Sequence, residues 1–276
     1  MRSLIACLCL LVGLIALPAA QAGSDGQPAD EFTLREAADF SKHIERELAA
    51  RGAFVAIVFR TGRARDELPD EIRYTHGALW VYTQIPTYDG GHQFGYAVYN
   101  LYHGQDDRSQ SYLMQDFPLD FTRGDVTGQV GIIVPLPDLQ DRIIDVMASP
   151  AYFDLHQPEY SLISNPADLR FQNCNEFLLD IVSAAAWETT DRDQIKVNIN
   201  EYFEPTLIEL SFLERLAAEW LDPRVRFDDQ SSQIRTATFG SISDFLYRYD
   251  QVQDVFELDS PHRRTGADDG SASSPD

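Results

Sequence analysis

Apolar residues recur at two distinct periods along this chain, so both helices and strands are expected. Thr33 precedes a helical stretch to Arg51 in which Leu34, Ala37, Ala38, Ile44 and Leu48 share one face, and Gly52 ends it. Ala53 to Phe59, AFVAIVF, has the length and composition of a buried strand. Thr75 to Tyr82 and Phe94 to Tyr102 read as two further strands joined through Asp89-Gly90-Gly91. Val130 to Val134 reads as a fourth strand, stopped by Pro135 and Pro137, after which Leu139, Ile143, Ile144 and Met147 mark a short helix. A polar, proline-containing connector from Ser149 to Gln172 leads to Phe177, Leu178, Ile181, Val182 and Ala185 at helical spacing. Leu207 to Trp220 and Ser241 to Tyr249 predict two more helices. With no internal repeat and no linker, the order predicts one α+β domain: a small antiparallel sheet packed on a helix, with additional C-terminal helices.

The ends differ from this body. Arg2, the apolar run Leu4 to Leu17 and Ala20-Gln21-Ala22 compose a secretory signal over residues 1–22. The expected divisions are therefore 1–22 signal, 23–259 folded domain and 260–276 disordered tail, the tail having no large apolar residue to bury. No later run reaches the ~18 apolar residues a membrane span needs. A periplasmic or secreted product is expected, once the signal is removed.

Composition narrows the partners more than it names them. A net charge of −22 repels nucleic acid and anionic lipid. The histidines show no compact ligand spacing, so neither a metal nor a cofactor is expected, and the acidic residues form no pair placeable across a cleft.

Once Cys7 and Cys9 leave with the signal, Cys174 is the one cysteine remaining, in Asn173-Cys174-Asn175-Glu176-Phe177. Asn173 is a good N-cap and Glu176, three positions on, completes a capping-box pattern, which puts Cys174 in the first turn of a helix. Unpaired backbone N–H groups and the positive end of the helix dipole then face the sulfur, an environment that lowers a thiol pKa and can hold an acyl oxyanion. The alternative is a small buried hydrophobe. An exported protein that keeps one free thiol exposes it to oxidation, which favours a nucleophile.

A cysteine nucleophile wants an imidazole and a third group to fix the ring. Alternation puts His76, Ala78, Trp80 and Tyr82 on one face of the second strand, and Tyr96, Val98, Asn100 and Tyr102 on one face of the third. A hairpin symmetric about Tyr88 sets His76 opposite Asn100, which would then hold the ring; His92 and His103 are the alternatives for that role. Gln172 is a weaker candidate, as an oxyanion donor or a solvated loop residue.

These residues carry a resemblance. His76-Gly77-Ala78 on a strand and Asn173-Cys174-Asn175-Glu176-Phe177 opening a helix resemble the circularly permuted papain-like thiol hydrolases: permuted NlpC-type peptidases and amidases, lecithin–retinol acyltransferase-like proteins and PPPDE peptidases. In the acyltransferase-like group the pattern is His-x-Gly/Ala and Asn-Cys-Glu-His-Phe, and Asn100 stands where a histidine is usual. The chain also looks like an exported bacterial family of unknown function whose hallmark stretches are His-Gly-Ala-Leu-Trp and Asn-Cys-Asn-Glu-Phe. The resemblance to the hydrolases covers roughly residues 53–187 and implies acyl-enzyme chemistry where a small sheet meets the cysteine helix.

Two functions are therefore expected. One is an exported cysteine hydrolase or acyltransferase using Cys174 and His76, with Asn100 as orienter, on a peptide or acyl substrate; cell-wall peptide is the abundant amide at that address. The other is a catalytically inactive papain-like periplasmic module that binds a peptide or partner protein, with Trp80, Tyr82, Tyr96 and Tyr102 as candidate groove residues.

Overall fold

In a computed structural model of the 276-residue chain, residues 28–29, 31–209 and 222–263 are described. The expected signal segment 1–22, most of the polar stretch after it and the tail beyond Arg263 lie outside those residues. Helix α1 (Leu34–Ala50) opens on a capping box, Thr33 accepting from the Glu36 N–H and Glu36 answering at the Thr33 N–H. Strands β1 (Val55–Arg60), β2 (His76–Pro86), β3 (His92–His103), β4 (Ser111–Asp116), β5 (Gln129–Pro135) and β8 (Val252–Asp259) form one antiparallel sheet in the order β4-β3-β2-β1-β5-β8. A separate ribbon pairs β6 (Thr206–Ile208) with β7 (Ile234–Thr236). The remaining helices are α2 (Pro118–Arg123), α3 (Pro137–Met147), α4 (Ala151–Asp154), α5 (Cys174–Trp187), α6 (Arg192–Tyr202) and α7 (Phe239–Arg248).

Both faces of the sheet are covered, which is why β1 reads as an unbroken apolar run instead of alternating. Ala56, Val58, Ala78, Trp80, Val98 and Ile132 pack against Phe40, Ile44 and Leu48 of α1 and Phe121 of α2. On the opposite face Val55, Ile57, Phe59, Leu79, Val81 and Ile133 meet α3, α5 and α7 through Leu139, Ile143, Phe177, Leu178, Ile181 and Ile242. Helix α5 is buried from Cys174 to Ala185, so it is a central helix rather than a surface one.

The sheet has six strands where the apolar pattern marks four. The two additional ones, β4 and β8, are edge strands, only partly buried and interrupted by polar residues. Their acidic positions (Asp116, Asp254, Glu257, Asp259) weaken the apolar signal and discourage edge-to-edge pairing. The β2–β3 hairpin runs Leu79↔Tyr99 to Pro86↔His92, which centres it on Asp89 instead of Tyr88. That slip is two residues in the pairing, so every side chain keeps its face. Leu207 and Ile208 lie in β6, and residues 210–220 of the expected helix fall outside the described residues. Among the described residues no helix is long and apolar enough to cross a membrane.

Candidate active site

Cys174 is the first residue of α5, one residue after the Asn173 cap, whose Oδ1 accepts from the Glu176 N–H at 3.0 Å. The capping box is only half formed: Glu176 turns away to Lys196, and the Asn173 N–H is taken by Ser164 Oγ at 3.1 Å. The backbone N–H groups of Gly77 and Asn175 lie near the sulfur and favour its thiolate, as does the positive charge of Arg60, while the thiol itself donates to Asn175 Oδ1 at 3.7 Å. Burial outweighs them. The thiol, 3% exposed, is pushed above its ordinary range, contrary to the lowering that the helix position alone predicts.

His76 opens β2 and is fully buried. Its ring stacks on Tyr102 at 5.1 Å between centroids and lies 5.8 Å from Phe121, on the face that carries α2. Nε2 is 3.0 Å from Asn100 Oδ1, so His76 and Asn100 are joined as expected, although they are not directly opposed in the ladder. Burial, and then the charge of Arg60, drives the imidazole pKa well below its ordinary value, so the ring is neutral.

One further contact fixes the tautomer. Asp116 Oδ2 accepts from Asn100 Nδ2 at 3.1 Å and from the Tyr102 hydroxyl at 2.7 Å. With its amino end committed to a carboxylate, Asn100 presents its oxygen to His76, so Nε2 carries the proton and donates it. Nδ1 is left as a bare acceptor, buried and without a hydrogen-bond partner.

His76 and Cys174 belong to opposite faces of the sheet and are not hydrogen-bonded to each other. They approach at the backbone of β2, where the sulfur meets the N–H of Gly77, the residue after His76. The β2–β3 ladder begins only at Leu79, so the two strands have parted beside the histidine and the sulfur.

The other candidates are placed elsewhere. His92 is exposed at the hairpin end of β3, eight residues from Asn100. His103 is spent: Arg224 Nη1 donates to its Nε2 at 3.1 Å, and its Nδ1 donates to the Gly104 carbonyl at 3.0 Å. Gln172 is neither an oxyanion donor nor solvated; its side chain is buried between the Leu155 carbonyl, Asp180 and the Gln157 N–H. Of the candidate groove aromatics, Trp80, Tyr96 and Tyr102 are core residues and only Tyr82 is exposed.

Arg60 and Asp116 were not legible as site residues. Arg60 ends the apolar run of β1, is 1% exposed, and reaches the Gly124 carbonyl and the Phe121 ring. A charge closing an otherwise apolar strand was the available signal. Cys174 also lines a cavity of about 170 Å³ between the β2 approach, the 160–163 segment and β6–β7. Among the described residues no group of three or more His, Cys, Asp and Glu side chains is placed to hold a metal.

The pattern of an uncharacterized protein family conserved in bacteria, DUF2145, matches residues 47–246. The chain belongs to this family. The DUF2145 match encloses Arg60, His76, Asn100, Asp116 and Cys174 together. No curated protein and no solved structure matches the chain.

Proposed function

We propose that this protein is an exported cysteine hydrolase or acyltransferase of the papain-like type, acting on an amide or acyl bond through Cys174 and His76. The observation that carries the reading is the His76 tautomer. Asn100, held by Asp116, accepts a hydrogen bond from Nε2–H and leaves Nδ1 free as a buried base beside the strand backbone that the thiol touches.

In this mechanism Cys174 Sγ attacks the substrate carbonyl carbon while its proton passes to His76 Nδ1. The carbonyl π pair becomes an oxyanion, stabilised by backbone N–H groups at the open end of α5. Collapse expels the amine, alcohol or thiol with the proton from the imidazolium, leaving a thioester on Cys174. Water or another acceptor, deprotonated by Nδ1, attacks the thioester and regenerates the thiol. Sγ and Nδ1 are not hydrogen-bonded and lie on opposite faces of the sheet, so this mechanism requires them to close past the parted end of β2 when substrate binds.

The site geometry starts from a neutral thiol and a neutral imidazole, both stabilised by burial. Proton transfer therefore accompanies attack instead of preceding it. The test is acyl transfer from an activated ester or thioester by wild type, Cys174→Ala and His76→Ala. Loss of at least ~100-fold in each variant is expected, with the Cys174 thioester visible by intact mass in wild type. Full turnover in either variant would show the mechanism to be wrong.

A further inference from the structure

The cavity beside the thiol has a chemical character of its own. Its wall includes Leu68, Ile72, Leu162, Ile163 and Ile208. Among the described lining residues only Arg63 and Glu67 are charged; they offset each other, and the next charges facing Arg63, Arg224 and Asp222, are paired with one another. A carboxylate-rich substrate finds no surplus positive charge among the described residues of this wall, and the chain's net charge of −22 repels it from a distance. The volume, about 170 Å³, sets the size. An apolar cavity of ~150 Å³ accommodates benzene. Pockets for drug-sized ligands begin near ~300 Å³, so a long acyl chain does not fit.

We propose that this cavity is the acyl-side specificity pocket, taking one apolar group the size of a phenyl ring or a branched aliphatic side chain next to the carbonyl that Cys174 attacks. The assignment rests on the acyl-transfer reading above. It moves the substrate away from the carboxylate-bearing stems of cell-wall peptide and toward an apolar residue or short acyl group.

A series of p-nitrophenyl esters tests it: acetate, isovalerate, phenylacetate, monosuccinate and palmitate, given to wild type, Cys174→Ala and Ile163→Asp. One methylene in an apolar pocket is worth roughly 10–200-fold in kcat/KM. Isovalerate and phenylacetate are therefore expected to exceed acetate at least ~10-fold, with succinate and palmitate below both. Ile163→Asp should bring the phenylacetate-to-acetate ratio toward one. Equal rates across the series, or a preference for succinate, with Cys174-dependent acylation intact, would overturn the pocket and leave the thiol chemistry standing. Absence of Cys174-dependent acylation from every donor would overturn the chemistry. Calorimetric binding of phenylacetamide to Cys174→Ala then judges the pocket alone: saturable binding abolished by Ile163→Asp supports it, and no binding overturns it.

Discussion

Asp116 accepts the amide N–H of Asn100 at 3.1 Å, and that single contact decides which end of Asn100 faces His76. A carboxylate only accepts, so the amide nitrogen must turn to it and the amide oxygen to the ring. Asp116 thus acts at second hand, through Asn100, on which imidazole nitrogen is basic. Asp116→Ala should let the amide flip and the tautomers mix, lowering kcat ~10- to 100-fold with little change in KM. The ¹⁵N shifts of His76 provide the independent readout: one tautomer in wild type, a mixture in Asp116→Ala, and recovery of one tautomer in Asp116→Glu. A single, unchanged tautomer in Asp116→Ala would remove the positioning role.

The protonation states give a pH prediction. Burial holds the Cys174 thiol above its ordinary pKa and the His76 imidazole well below its own. Such a pair rests neutral, unlike a thiolate–imidazolium pair. Alkylation by iodoacetamide should be slower than for a free thiol at pH 7 and rise about tenfold per pH unit through pH ~8.5. By contrast kcat/KM, which uses the neutral pair, should be level across that range and fall only on the acid side as His76 is protonated. The sign for stability agrees. A histidine with a depressed folded pKa contributes stability that is present above its unfolded value of ~6.5 and lost as pH falls through it toward the folded value. An alkylation rate already at its plateau by pH 6 would mean that an ion pair pre-exists.

Much of this site could be read from the residues. Capping chemistry at Asn173 and the period-two alternation around His76 act locally, so the cysteine's place on its helix and the shared face of His76 and Asn100 were both visible. The hairpin register was legible only to within two residues, because a five-residue connection, Thr87 to Gly91, offers no single turn type to fix it. Asp116 escaped notice because it joins Asn100 from an edge strand whose polar residues hide its strand character. The sign of the thiol shift was missed for a different reason. Helix position is written in sequence, whereas desolvation depends on how much of the fold closes over the sulfur.

Gly77 is required by close approach. A Cβ there would lie 2.6 Å from Leu178 Cδ1 and 2.8 Å from the Phe59 ring, so the side chains of α5 and β1 must both give way to admit it. Gly77→Ala should cost about 1–3 kcal/mol in urea unfolding, the range for overpacking a close-packed core. Because the Gly77 N–H is one of the donors to Cys174, acylation should fall with it. Leu178→Ala makes room on the helix side, so Gly77→Ala in that background should cost less than it does alone. Equal costs in the two backgrounds would show that the helix contact is not what excludes a side chain.

Beneath the first turns of α5, Lys196 Nζ lies 2.7 Å from Glu176 Oε1 and 2.6 and 2.8 Å from the two oxygens of Asp180, all three residues buried. Two acids share one base there, so burial and then the neighbouring Asp180 push the Glu176 carboxyl up while Lys196 pulls it down. An acid whose folded pKa is raised contributes stability that is greatest at low pH and declines as pH rises through the shifted value. Lys196→Met removes the cation of the cluster, pushes the Glu176 carboxyl up further and should cost about 3–5 kcal/mol at pH 8, where the buried acids lose their counter-charge. At pH 5 Glu176 holds its proton, and the loss should be clearly smaller. Adding Glu176→Gln should recover much of the pH 8 loss by removing an acid that must take up a proton to stay buried. The same double variant separates support from chemistry: if the cluster serves only to hold the start of α5, restored stability should bring restored acylation. A Lys196→Met protein as stable as wild type at both pH values would show that the buried ion cluster does not anchor the cysteine helix.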